Sequence, residues 1–209
     1  MFTQLSRRAR LSLGVLAAIL LLAAGTAVGY LIPTLSRPGD DSIDAGFARD
    51  MSVHHAQAVE MGMFAYRLGT TDDIRNLGYD IAASQQWQIG QMQTWLTEWH
   101  LSPTSSNRAM AWMPTGMNTL QPDGRMPGMA SDDELKKLKS STGKDFDTLW
   151  CQLMLRHHLG GIHMAEIAAK DAEDQDVRAA AEKMRVAQSY DISQLTEKLK
   201  DLGAQPLSF

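Results

Sequence analysis

The sequence predicts an all-α protein, a four-helix bundle made of two copies of a helical hairpin and preceded by a membrane-spanning helix. Three observations lead there. Apolar residues recur at helical spacing through four long segments, with no βαβ or alternating strand pattern anywhere. Adding 103 to the residue number lays one half of the chain on the other without a gap. The run from Leu11 to Ile32 is 22 residues long and carries no charge.

That run is long enough to cross a hydrocarbon core of roughly 30 Å as a helix. It exceeds the apolar region of a cleaved signal peptide, about 7–15 residues, although Gly25-Thr26-Ala27 supplies small residues near a cleavage point. The expected order is a basic cytoplasmic N-terminus (1–10), a transmembrane anchor or signal sequence (11–32), a linker (33–42) and a helical domain (43–209). Arg7, Arg8 and Arg10 hold the N-terminus in the cytoplasm by the positive-inside rule. The domain is then extracytoplasmic on a single-pass cell-membrane anchor, or secreted or periplasmic after cleavage.

Charge divides the chain at the same place. Residues 1–39 hold four Arg and no acid, leaving 20 − 4 = 16 Lys+Arg against 24 Asp+Glu, a net of −8, in the remainder. An acidic domain of this kind is not a nucleic-acid binder. The single cysteine, Cys151, permits no internal disulfide, so packing alone must hold the domain.

The first repeat (43–99) opens at Ile43 and stays helical to Leu68, where Gly69-Thr70-Thr71 breaks it. Asp72-Asp73 then begins a helix to Trp99 with Ile74, Leu77, Ile81, Ile89, Met92 and Leu96 inward. The connector (100–145) is rich in Pro, Gly and Ser, with Met110, Met113, Met117, Met126 and Met129. Hydrophobic packing beside Trp112 is the expected role of those methionines, since Met fills irregular gaps. Ser131–Glu134 reads as a capping box for a short helix that Gly143 ends. The second repeat (146–202) holds a helix from Asp145 to about Ala169 and another from Asp176 to about Leu202. Trp87, Trp95 and Trp99 are expected in core or crossover packing.

Met-x-x-His-His-x-x-x-x-x-Met occurs twice, as Met51, His54, His55, Met61 and as Met154, His157, His158, Met164. At about 100° per residue each set falls on one face roughly 120° wide, over a small residue, Ala58 or Gly161. Imidazole and thioether together suit Cu(I) or Ag(I), and imidazoles alone tolerate Cu(II) or Zn(II). These eight residues are the candidate metal ligands, with a copper ion the first expectation and silver or zinc behind it. Asp44 and Asp147 share the same faces and are candidates to orient a ligating imidazole. The bland alternative is that Met fills core and the histidines pair with one another or with polar neighbours. A di-iron carboxylate centre would need Glu-x-x-His pairs that the inward faces lack. Cys151 sits at the edge of the face opposite a counterpart alanine and is a weak ligand candidate. His100 and His163 are off-register and expected in solvent, and Gln85 and Gln188 are expected to bond across the bundle.

The double motif, with "MPGMASDDEL" (Met126–Leu135) before its second copy, resembles the DUF-305 family of domains of unknown function over residues 43–202. The resemblance implies a ferritin-like four-helix bundle, exported or membrane-anchored in bacteria, with copper binding and tolerance associated with some members. It places the family motif on Met51, His54, His55, Met61, Met154, His157, His158 and Met164. One departure is that His-His-Gln-Gly-Ala, common in the family, is here "HHAQA" and "HHLGG". The leading expectation is a non-enzymatic copper protein that buffers, tolerates or delivers the ion. An accessory module of a membrane complex, with a homo-oligomeric or membrane-protein partner, and a ferritin-like redox enzyme are the alternatives.

Overall fold

The computed structural model describes residues 6–35 and 37–207. Residues 1–5, 36, 208 and 209, which belong to the expected basic N-terminus, linker and C-terminal end, lie outside the described residues. The chain divides into two compact units, Met1–Arg37 and Pro38–Phe209. In the first, α1 (Arg7–Leu35) contains a stretch, Arg7–Gly29, long and apolar enough to span a membrane; an N-terminal signal sequence would meet the same test. Its leucines are exposed on all sides, so no single face is reserved for a protein core.

The second unit is all helical among the described residues. It comprises α2 (Ile43–Leu68), α3 (Asp72–Glu98), the short α4 (Asp132–Ser140), α5 (Gly143–Asp171) and α6 (Gln175–Asp201). Side chains fix the starts. Ser42 accepts from the Ala45 N–H, Thr71 from Ile74, and Asp174 from Asp176 and Val177, each relieving a first-turn amide that has no helical partner. The expected capping box is present at Ser131 and Glu134, and Glu134 also holds Arg156 at 2.7 Å. Gly143 does not end α4, which stops at Ser140; with φ +62° it opens α5 instead.

Hairpins α2–α3 and α5–α6 pack against each other through α2 and α5. The pairing is antiparallel, since Met51 and Met164 share one core cluster while Met61 and Met154 share the other. The 103-residue offset reappears as a pseudo-two-fold in the bonding. Asp44 accepts from the Glu173 and Asp174 amides at 3.1 and 2.8 Å, and Asp147 accepts from the amide and hydroxyl of Thr70. Each hairpin thus caps the turn of the other. Within each turn an arginine closes the preceding helix, Arg75 on the Gly69 carbonyl and Arg178 on the Ala172 carbonyl, both at 2.6 Å.

The connector crosses one side of this bundle. Met110, Met113 and Met126 are buried in the cluster with Trp95 and Trp99, as expected for crossover packing; Met117 is exposed. Trp87 departs from its expected place in the core, being 68% exposed, as is its repeat counterpart Tyr190 at 64%. Asp50 anchors the connector by accepting from the Met110 amide (2.6 Å) and the Trp112 indole (2.8 Å), and burial raises its pKa.

Candidate metal centre

The two histidine pairs meet at the middle of α2 and α5. His54 and His157, equivalent positions in the repeat, stack with ring centroids 3.8 Å apart and planes inclined by 35°. His158 lies 6.2 Å from His157 between centroids. All four histidines are 0–1% exposed. Sequence periodicity alone places them inward; the antiparallel crossing of α2 and α5 brings them into one layer.

The hydrogen bonds fix most tautomers, because a carbonyl oxygen can only accept. His54 donates Nε2–H to the Pro127 carbonyl (3.2 Å) and His55 donates Nε2–H to Gln88 Oε1 (2.7 Å), which leaves a lone pair on each Nδ1. His158 reverses this, donating Nδ1–H to the Met154 carbonyl at 3.1 Å. Its Nε2 stands 3.2 Å from Asp191 Oδ2 and 3.4 Å from Gln85 Nε2. His54 Nδ1, His55 Nδ1 and His157 Nε2 are buried with no partner, as are Gln85 Oε1 and Gln188 Nε2 in the same layer. Each such orphan costs about 1–3 kcal/mol in a protein interior.

Burial also keeps these rings neutral. Desolvation, helped by the neighbouring histidines, lowers His54 to about 4 and His55 to about 3, and holds His157 well below the ordinary imidazole value. Neutral imidazole is the form that ligates a metal, so the layer needs no proton removed before binding at neutral pH.

The four motif methionines are fully buried on the two sides of the layer, Met51 and Met164 beside Met92 and Met184, and Met61 and Met154 in the opposite cluster. Asp44 and Asp147 depart from their expected role, since neither bonds a histidine and both are committed to the turn amides. Cys151 is buried in the opposite cluster, and desolvation together with Asp147 pushes its thiol up to about 12, which disfavours a thiolate ligand. His100 is exposed and His163 half-exposed, 3.9 Å from Glu166. Gln85 reaches across the bundle to His158, as expected, while the Gln188 amide nitrogen has no partner. Among the described residues no group of three or more His, Cys, Asp or Glu is arranged to hold a metal. A centre here would have to draw on thioether or amide donors as well.

Gln57 and Gly160, equivalent in the repeat, stand at the Gly of the common His-His-Gln-Gly-Ala, which Gly160 keeps and Gln57 replaces. Gln57 clamps the connector by donating to the Ala130 carbonyl (3.0 Å) and accepting the Ala130 amide (2.7 Å). Gly160 lies under the same connector, where a Cβ would come within 2.0 Å of the Pro127 oxygen. There is one crossover and two equivalent positions, so one position holds the loop and the other yields to it.

A family model described as "Domain of unknown function (DUF305)" matches residues 44–199. The chain belongs to this family. Its fold is similar to that of a DUF305 protein from Streptomyces coelicolor, provisionally described as secreted. That likeness has a TM-score of 0.75 and 40% identity, covering 82% of this chain and all of the other. A DUF305 fragment from Deinococcus radiodurans follows at TM-score 0.63 and 27% identity, covering 77% of this chain and 95% of its own. CopM, in its Cu(II)-bound form, shares the fold at TM-score 0.60 and 23% identity, over 77% of this chain and 97% of the other. No curated protein matches the chain.

Proposed function

We propose that this DUF305 protein binds copper outside the cytoplasm, in the layer formed by His54, His55, His157 and His158, and that it buffers the ion or passes it on. The observation that carries the proposal is the set of three buried imidazole nitrogens without a partner around one stacked histidine pair. A protein that used these histidines only for packing would forfeit about 1–3 kcal/mol at each of them. A copper ion would be held by imidazole nitrogens, with Met51, Met61, Met154 and Met164 as soft donors or apolar wall, and bound there it would relieve those orphans. The same fold is named for CopM in Cu(I)-bound and Cu(II)-bound forms. Silver would follow Cu(I) into the layer. The apolar run of α1 and the arginines in its first turn, Arg7, Arg8 and Arg10, support anchorage to the membrane with the bundle on the far side.

A second reading has its own observation. His55 already donates to Gln88 and His158 to the Met154 carbonyl, so part of the layer is satisfied from within, as in an accessory module that takes no ion. Elemental analysis and copper titration of the full chain in detergent separate the two. The wild type takes up copper, and a chain with all four histidines changed to Ala takes up none at the same affinity. Equal uptake by both would refute the proposal, and a metal-free wild type purified with a stoichiometric partner would favour the module.

A further inference from the structure

We infer that Asp191 on α6 and His158 Nε2 form a cation site for a divalent ion of intermediate hardness, Zn(II) or Cu(II), at the outer edge of the histidine layer, leaving the free nitrogens of His54, His55 and His157 to the copper. The inference rests on the reading of that layer as a metal centre and adds a donor of a different class to it. Its origin is a break in the repeat. Gln88 and Asp191 are equivalent positions, each beside the second histidine of its own hairpin. Gln88 presents an amide oxygen to a ring N–H, an ordinary donor–acceptor pair at 2.7 Å. In the second repeat the ring N–H faces the other way, into the Met154 carbonyl. His158 Nε2 therefore turns a lone pair toward the Asp191 carboxylate, and two acceptors 3.2 Å apart leave a place for a cation between them.

A proton and a metal ion compete for that position, and the spacing, an ordinary N–H···O length, also admits the metal. Ligand bonds of about 2.0–2.2 Å meeting at roughly 100–109° separate two donor atoms by about 3.1–3.6 Å. The third neighbour fits as well. The Gln85 amide is 4% exposed and lies 3.4 Å from His158 Nε2 through its nitrogen, while its oxygen has no partner. Rotating that amide by half a turn exchanges the two atoms and offers a third donor, an oxygen. Imidazole nitrogen with carboxylate and amide oxygens is a borderline-to-hard set, unlike the thioethers on either side of the layer. The Asp191 side chain is 18% exposed, which gives the ion a way in from solvent.

Asp191→Asn keeps the shape and removes the charge, and Gln88→Asp writes the second repeat's chemistry into the first. Both are compared with the wild type as full chains in detergent, titrated separately with Zn(II) and with Ag(I), thermal unfolding serving as the check on folding. The wild type binds one Zn(II) at this edge. Asp191→Asn weakens Zn(II) by at least about tenfold, the scale at which even outer partners of metal ligands act, and leaves Ag(I) uptake unchanged. Gln88→Asp gains a second Zn(II) equivalent. Unchanged Zn(II) binding in Asp191→Asn, a wild type that binds no Zn(II), parallel loss of both ions, or no gain in Gln88→Asp overturns the inference. Loss of Zn(II) alone in Asp191→Asn, from a wild type that takes no Ag(I), upholds it and removes instead the soft-ion reading of the layer.

Discussion

Gly160→Ala is a sharp test of how the connector sits on the bundle. The added Cβ would lie 2.0 Å from the Pro127 oxygen, 2.4 Å from its carbon and 2.9 Å from the Gly128 nitrogen. All three are backbone atoms, so relief requires the loop to move by more than about 1 Å toward an ordinary contact distance of about 3.4 Å. Gly128 cannot follow easily, being at φ +80° and close to the Arg156 carbonyl, from which a Cβ on Gly128 would stand 2.4 Å away. The displacement also separates the Pro127 carbonyl from His54 Nε2, stranding a buried donor at about 1–3 kcal/mol. Overpacking adds about 1–3 kcal/mol, and the helical preference of Ala over Gly returns about 1 kcal/mol. The net loss is about 1–5 kcal/mol, a fall in Tm of roughly 2–20 °C for a domain of this size. Gly90 on α3 has nothing within 4 Å of where a Cβ would stand, so Gly90→Ala gains only the propensity and raises Tm by a few degrees. Thermal unfolding of the metal-free chains followed by circular dichroism reads both. A Gly160→Ala chain that melts at or above the wild-type temperature would refute the seating of Pro127 on α5.

Acid weakens the metal-free bundle. Because burial depresses the folded-state pKa of His54 to about 4 and of His55 to about 3, against about 6.5 unfolded, the unfolded chain binds protons that the folded one does not. Their contribution is complete above about pH 6.5 and is lost as pH falls toward 4, at up to about 4 kcal/mol for the pair by pH 5. Urea unfolding of metal-free protein at pH 7 and pH 5 measures this, and equal or greater stability at pH 5 contradicts it. Cys151, with its thiol pushed up to about 12 by burial and Asp147, reacts with a thiol reagent at neutral pH only once the chain is unfolded. Labelling of the native chain as fast as in denaturant would show that the thiol is accessible.

Much of the bundle is legible in the sequence because duplication writes each structural rule twice. Helix α2 begins and ends where Ser42 and Gly69 place it, and the inward set of histidines and methionines follows from the wheel. The same wheel misplaces Asp44 and Asp147. A projection along the helix axis preserves the angle and discards the rise, and each aspartate lies ten residues before its first histidine, about 15 Å along the axis at roughly 1.5 Å per residue. They share a face with the imidazoles and reach a different layer. Trp87 misleads for a related reason, since an aromatic on a helix flank can pack or face water and only the neighbouring hairpin decides. Gln88 and Asp191 do not stand out in the sequence, although Gln85 and Gln188, three residues earlier and on adjoining faces, do. An amide and an acid at equivalent positions look like an imperfect repeat until the histidine beside each is known.

The imperfections concentrate around the histidine layer, and one cause accounts for two of them. A duplicated hairpin has pseudo-two-fold symmetry, but one chain has a single crossover, which lies over equivalent positions of both hairpins and meets the two members of each pair differently. Pro127 consequently caps His54 Nε2, while the equivalent nitrogen of His157 has no partner. The stacked rings therefore present different nitrogens, Nδ1 from one and Nε2 from the other, which two identical half-sites could not do. Gln57 and Gly160 diverge under the same loop. At the outer edge the exchange of Gln88 for Asp191 accompanies a reversed tautomer of the second histidine. The asymmetry decides which lone pairs point into the layer, and the proposed copper site would draw on those lone pairs.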